Sequence, residues 1–194
     1  MKLSERKTLK KKEQILMTAI AVVNKRGYDG ATMEEIAAEL LMTKGSLYYY
    51  FKNKGDLMYE CHKFVLSDAM GALEMALNEE GTAEEILRRM ISSHIDYAIE
   101  EKETNNLIIE PRRFFDEEQL GPVLQLRKKY SSYFDQVIEK GIASGEFQVD
   151  EPIFVRMMIL GAMNWIQQWY RPDGRMTLEE LKRNFEDYIL KMLK

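Results

Sequence analysis

Residues 32–57 read TMEEIAAELLMTKGSLYYYFKNKGDL, and this stretch decides how the rest of the chain is understood. Thr32 followed by Glu35 has the spacing of a capping box, in which each side chain bonds the other's backbone amide and fixes a helix start. Ile36 and Leu40 stand four apart beside Ala37, a narrow apolar stripe with a small residue where a second helix can approach closely. The spacing predicts that this helix ends near Leu41. Thr43 then caps a second helix, on which Leu47 and Phe51 point inward while Lys44, Ser46, Tyr48 and Tyr50 remain outside. The consecutive Tyr48, Tyr49 and Tyr50 cannot all face a core, because successive helical side chains are about 100° apart.

Two short capped helices around a tight turn, with exposed tyrosines beside lysines, have the geometry of a helix-turn-helix. That motif lays its second helix in the major groove, with flanking groups on phosphates. The segment, and KGSLYYYFKNK above all, resembles the DNA-binding region of the tetracycline-repressor (TetR) family of bacterial transcription regulators. The resemblance implies that Thr43, Lys44, Gly45 and Ser46 meet bases or nearby phosphates, that Tyr48, Tyr49 and Tyr50 flank them, and that Lys54 clamps a phosphate at the next helix start. Thr32 and Met33 match positions that touch the DNA backbone. Family members usually carry Gly where this chain has Leu41. A positive φ at that leucine costs on the order of 1 kcal/mol.

The charge distribution agrees with this reading. The 194 residues have a net charge of -4, but residues 1–54 carry 11 Lys and Arg against 6 Asp and Glu, whereas the remainder carries 17 against 26. Affinity for DNA depends on local phosphate neutralisation and not on the total. The amino-terminal part is therefore expected to face double-stranded DNA. Lys2, Arg6, Lys7, Lys10, Lys11 and Lys12 form a basic arm, which either follows a phosphate backbone or minor groove, or serves as a disordered, solubilising tail.

A hydrophobic fraction of 45% allows one compact body or two small domains. Cys61 alone cannot form an internal disulfide, no signal peptide is recognisable, and no apolar run reaches membrane-spanning length, so the expected compartment is the cytoplasm, without membrane attachment. Helical periodicity runs almost throughout, which predicts an all-α fold of about nine helices. Ile15, Ala19, Val22 and Val23 define a first helix that Gly27 terminates, with Tyr28 as the apolar contact beyond the cap. Asn53 and Asp56 start a long fourth helix through about Leu77. Thr82 with Glu85, and Thr177 with Glu180, repeat the Thr-x-Glu-Glu cap. Breaks are expected near Pro111, Gly121 to Pro122, Gly145, and Pro172 to Gly174. The functional division is expected to be a DNA-binding domain, residues 1–54, and a ligand-binding and dimerisation domain, residues 55–194.

Ile153 to Trp169 is apolar on nearly every side, and Leu178, Leu181, Phe185, Tyr188, Ile189 and Met192 follow at helical spacing. Either one subunit buries this surface, or the last two helices join two subunits. A homodimer is what the TetR resemblance implies, and a twofold reader matches a palindromic operator. Tyr97, Phe114, Phe115, Tyr130, Tyr133 and Phe134, with Ile99, Leu107, Ile108 and Leu124, either line an apolar pocket or form core. Arg112 and Arg113 sit at that pocket's mouth, suited to phosphate or carboxylate, or at a solvated helix end. The segment GAMNWIQQWYRPDGRMTLEEL, Gly161 to Leu181, resembles the carboxyl end of a TetR subgroup of regulators of fatty-acid, sterol or aromatic-acid breakdown that respond to acyl-CoA thioesters. That resemblance implies that Trp165 and Trp169 lie near the effector or the dimer interface, with Arg171 near CoA phosphates.

Catalysis has little material. His62 and His94 are the only histidines, no Gly-rich phosphate loop or nucleophile elbow occurs, and no metal-ligand spacing is present. Glu84, Glu85, Glu179 and Glu180 serve caps, and Glu100, Glu101 and Glu103 read as a solvated helix end. The expected protein is no enzyme and uses no cofactor or metal. Its expected function is a repressor released by a small apolar effector. The alternatives are a regulator of efflux or detoxification answering an aromatic or cationic hydrophobic compound, and an architectural DNA binder without a ligand.

Overall fold

A computed structural model describes residues 3–100 and 111–194, and all regular structure among them is helical. The helices are α1 (Leu3–Gly30), α2 (Met33–Glu39), α3 (Lys44–Tyr50), α4 (Lys54–Asn78), α5 (Ala83–Glu100), α6 (Pro111–Phe114), α7 (Glu117–Ser144), α8 (Pro152–Trp169) and α9 (Leu178–Leu193). Leu107, Ile108, Glu101 and Glu103 lie outside the described residues. The chain forms two compact units, Met1–Val65 with Glu101–Val123, and Leu66–Glu100 with Leu124–Lys194. The division falls inside α4 and inside α7.

The first unit is built from local signals. Gly27 takes φ 73° and ψ 165°, so the regular part of α1 stops there as its glycine requires, and one further turn leads to Gly30. Residues from Leu3 onward are already helical, so of the two readings of the basic arm the disordered tail does not hold for them: Arg6, Lys7 and Lys10 extend α1 into solvent. Ile15, Ala19 and Val23 of α1, Ile36 and Ala37 of α2, Leu47 of α3, Phe51, and Leu57 and Met58 of α4 are all buried. Thr32 and Glu35 form the full capping box of α2, Thr43 caps α3, and Asn53 Oδ1 accepts from the Asp56 amide at the start of α4.

The turn between α2 and α3 has an identifiable architecture. The α2 helix ends at Glu39, two residues before the expected end, and Leu41 takes φ 54°. The Leu41 amide donates to the Ala38 carbonyl at 3.0 Å and the Met42 amide to the Ala37 carbonyl at 2.8 Å, the paired bonds of a Schellman motif. Leu41 thus occupies the left-handed position that favours glycine, with its side chain 97% exposed.

The second unit holds a continuous core from Leu66 to Leu193, with α5 packed on both α8 and α9. Thr82 with Glu85, and Thr177 with Glu180, make both bonds of their boxes. The α5 start gains a second acceptor across the fold: Glu146 takes the Ala83 and Glu84 amides at 3.1 Å each, which lowers its carboxyl pKa. Arg88 on α5 reaches Glu186 and Asp187 on α9, and Lys182 of α9 reaches Asp96 at 2.6 Å. The break expected at Gly121 to Pro122 is absent, because α7 continues through Pro122. Proline there removes one bond close to the helix start, and the Glu118 carbonyl left without it belongs to an exposed residue. Pro111 and Pro152 instead stand at the first positions of α6 and α8, where a missing N–H costs nothing.

Replacing Leu41 by glycine removes the left-handed penalty without losing packing. The expected gain is about 0.5–1 kcal/mol, a rise in melting temperature of about 2 °C. A calorimetric scan that shows a lower midpoint for Leu41→Gly contradicts this account of the turn.

Candidate nucleic-acid interface and interior site

The phase of α3 sets what the first unit shows to solvent. With Leu47 and Phe51 inward, Thr43, Lys44, Gly45, Ser46, Tyr48 and Tyr49 are exposed, and Tyr50 is half-buried with its ring edge-on to Tyr49 at 5.2 Å. Thr43 Oγ1 accepts from the Ser46 amide and shares a 2.8 Å hydrogen bond with the Ser46 hydroxyl, so the cap orients both side chains. Lys44 Nζ pairs with the Glu34 carboxylate on α2 and lies 5.7 Å from the Tyr48 ring centre. The bond from Lys44 lowers the Glu34 pKa, and the bond to Glu34 raises that of Lys44. Thr32 is exposed, with its hydroxyl bonded to Glu35.

Two residues expected at the DNA also serve the first unit itself. The Met33 side chain is only 4% exposed, because the apolar face of α2 begins with it; what remains near the surface is its backbone at the first turn. Lys54 donates to the Tyr28 carbonyl and lies 4.2 Å from the Tyr28 ring centre, tying the end of α1 to the start of α4. Burial lowers its pKa, with Asp29 and Glu35 opposing.

The residues expected to line one pocket do not gather in one place. Phe114 packs edge-on to Tyr28 at 4.8 Å within the first unit, where Phe115 also meets Tyr59 and His62. Arg112 is exposed, and the Arg113 side chain lies outside the described residues. Tyr97, Tyr130, Tyr133 and Phe134 do share the second unit, the last three buried. Leu124, expected beside them, is exposed. Tyr97 and Tyr130 line a cleft of about 240 Å³ with Ala69, Ala72 and Leu73, whose rim carries Asp68, Asp96 and Glu100. The Tyr133 hydroxyl donates to Glu74 at 3.4 Å. Trp165 and Trp169 are half-exposed or more on α8, together with Ile153, Phe154 and Met157. Trp169 lines an apolar groove of about 290 Å³ between α8 and α9 with Met158, Phe185, Tyr188, Ile189 and Met192.

Three interior groups escape the sequence reading. The Tyr130 hydroxyl and His94 Nδ1 are 2.8 Å apart, and burial drives the His94 pKa down to about 4, against a smaller opposing effect from Asn164. Burial also raises the Tyr130 pKa. Gln167 of α8 is 3% exposed. Arg127, one turn before Tyr130 on α7, is half-buried without an ion-pair partner among the described residues, and desolvation lowers its pKa. Asn164, Gln167 and Gln168 interrupt the apolar run of α8, and of the three Gln167 is the buried one. For Arg127 the signal was a cation in phase with Tyr130 and Phe134.

Residues 15–61 match the family described as bacterial regulatory proteins, tetR family, and residues 80–193 match the tetracyclin repressor-like C-terminal domain. The chain belongs to the tetR family; it is a DNA-binding transcription regulator and not an enzyme. The fatty acid metabolism regulator protein of Bacillus subtilis is 26% identical over 182 residues, 91% of this chain and 92% of that protein. The HTH-type transcriptional repressor KstR2 of Mycolicibacterium smegmatis is 23% identical, covering 93% and 89%. AibR, solved in complex with isovaleryl coenzyme A and operator DNA, shares the fold with a TM-score of 0.77 at 24% identity, over 94% of this chain and 97% of AibR. No described helix is long and apolar enough to cross a membrane.

Two outcomes test these placements. Lys44→Ala and Ser46→Ala should each weaken DNA binding and alter sequence preference, by about 1–3 kcal/mol at the positions they read. Lys54→Ala should weaken all sequences alike and flatten the salt slope by about 1. Uniform, salt-independent losses at all three contradict this docking. The buried His94 stays neutral when folded but takes a proton when unfolded between pH 6.5 and about 4. Its contribution is therefore complete above pH 6.5 and is lost as pH falls, by about 1.4 kcal/mol per unit. Melting curves of His94→Gln should show a shallower decline than the parent between about pH 6.5 and 5; parallel declines refute it.

Proposed function

We propose that this chain is a cytoplasmic homodimeric repressor that leaves a palindromic operator when a CoA thioester enters its carboxyl-terminal domain. The carrying observation is the exposed face of α3, where Lys44, Ser46, Tyr48 and Tyr49 stand free of the core. Residues 1–54 are the reading part and residues 55–194 the ligand and dimer part. The half-exposed apolar surface of α8 and α9, with the groove between them, supports pairing of two copies, since patches this broad are seldom left to solvent.

The effector class rests on the relatives named for fatty-acid regulation and on AibR, together with two features of this chain. Tyr97 and Tyr130 line a cleft with Ala69, Ala72 and Leu73, and Arg127 holds a half-buried guanidinium, without an ion-pair partner among the described residues, suited to a phosphate. Linkage supplies the mechanism: an effector preferring the conformer with badly spaced reading heads lowers operator affinity by the same coupling. The α4 helix is continuous from Lys54 to Asn78 and is the proposed lever. The acidic rim Asp68, Asp96 and Glu100 favours a second reading, a cationic hydrophobic effector, as in regulators of efflux.

The test is a titration on the palindrome upstream of the protein's own gene, with acyl-CoA thioesters, the matching free acids and tetraphenylphosphonium. Thioesters should lower operator affinity about 5- to 150-fold. Release by the cation alone selects the second reading. Tight binding that nothing disturbs removes the effector, and absence of specific binding removes the repressor.

A further inference from the structure

The positive charge of the first unit does not sit on the helices that form its exposed reading face. Residues 1–14 hold 6 Lys and Arg against 2 Asp and Glu, whereas residues 15–54 hold 5 against 4. Of those later cations three are engaged within the protein: Arg26 pairs with Glu35, Lys44 pairs with Glu34, and Lys54 donates to the Tyr28 carbonyl. Affinity for any duplex rests on cations that displace counterions from phosphates, and the helix-turn-helix itself is poorly provided with them.

The cations stand instead on the start of α1. That helix begins at Leu3, its residues through Lys10 are all exposed, and its first buried side chain is Ile15. About three turns thus precede the first core residue. Arg6, Lys7, Lys10 and Lys11 fall within an arc of about 140° on one side of this arm. None of the four makes an ion pair among the described residues; Lys11 bonds the Gln14 side chain at 3.0 Å. Arg6 with Lys10, and Lys7 with Lys11, stand four apart, like charges that weaken a free helix, and cations in its first turns oppose its dipole. A polyanion laid along this face relieves both. The place of the arm says which polyanion. Lys12 Nζ lies 5.9 Å from the ring centre of Phe51, the C-cap of α3, so the arm leaves the core beside the end of the helix that carries the exposed Tyr48 and Tyr49.

We propose that the basic first turns of α1 are the main phosphate-binding element of this protein, lying along the duplex backbone beside the bases that α3 reads. Sequence is then read by one helix and charge is supplied by another. This deepens the reading of α3 as the operator-reading helix and rests on it. Each cation of the arm neutralises a phosphate without touching a base, so its contribution is equal for all sequences and falls steeply with salt. A helical arm holds the four cations at fixed spacing and loses less freedom on binding than a disordered tail does.

The test titrates the full chain against two duplexes, the palindromic region upstream of its own gene and an unrelated sequence of the same length, between about 50 and 200 mM salt. One variant carries Lys7→Gln and Lys11→Gln, and a second adds Arg6→Gln and Lys10→Gln. A control for net charge carries Lys128→Gln and Lys129→Gln, both exposed on α7. The slope of log affinity against log salt should flatten by about 0.9 for each arm cation in each bound subunit. In the fourfold variant the fall in affinity over that salt range should be about a hundredfold smaller per bound subunit, on both duplexes alike. Preference for the operator should stay unchanged, and the melting midpoint should not fall. An unchanged slope in both arm variants overturns the proposal, and so does an equal flattening by the control pair, which assigns the effect to net charge. Loss confined to the operator overturns it too, since the arm then reads bases. A midpoint lowered by several degrees in both arm variants overturns the exposed arm. A parent that binds both duplexes equally removes the operator reading, while flattening by the arm variants alone still sustains the arm.

Discussion

Burial of Leu47 and Phe51 is the constraint on which the reading surface depends. Both side chains are almost fully enclosed, and they stand four residues apart, about one helical turn, at the last turn of α3 and its C-cap. Once these two are fixed inward, the helix has no freedom left to choose which residues face solvent. Lys44, Ser46, Tyr48 and Tyr49 face out because the core rejects rotation. The Schellman turn and the Thr43 cap then set where α3 begins relative to α2. Leu41 carries the local cost of that turn, and the buried pair Ile36 and Leu47 offsets it.

The ion pair of Lys44 with Glu34 places a carboxylate beside a cation on the exposed face of α3. Both groups are exposed, so their attraction is screened and contributes little to stability. A phosphate competing for Lys44 must nevertheless displace a carboxylate that stays close by and repels it. Non-specific association is weakened most, because it depends almost wholly on phosphate charge. A site whose base edges also meet Ser46 and the tyrosines recovers the difference. On the proposed docking the acidic residue sharpens selection instead of opposing DNA binding.

What the sequence made legible follows from how local each signal is. The caps at Thr32, Thr43, Thr82 and Thr177 are contained within four residues each, and each forms as its spacing requires. Helical periodicity likewise gave the all-α fold and the inward face of α3. The interior site was less legible, because its members meet only through tertiary packing. Phe114 has the same composition cues as Phe134, yet one packs on Tyr28 and the other enters the core of the second unit. Met33 reads as a surface position in the motif, but the apolar stripe of Ile36 and Ala37 begins one turn earlier than the motif suggests. Pro122 reads as a break, although a proline near a helix start forfeits only one bond. Gln167 and His94 carry no motif at all; only their burial distinguishes them.

Gln167, buried with neither amide atom hydrogen-bonded, bears on how a signal can travel. A core whose polar groups are all satisfied has one preferred packing and gives a ligand little to improve. An unsatisfied amide raises the free energy of the ligand-free arrangement, so any conformer in which that amide is bonded gains relative to it. A ligand that shifts a population must have differential affinity for two packings. Tight binding by apolar contacts equal in both packings shifts nothing.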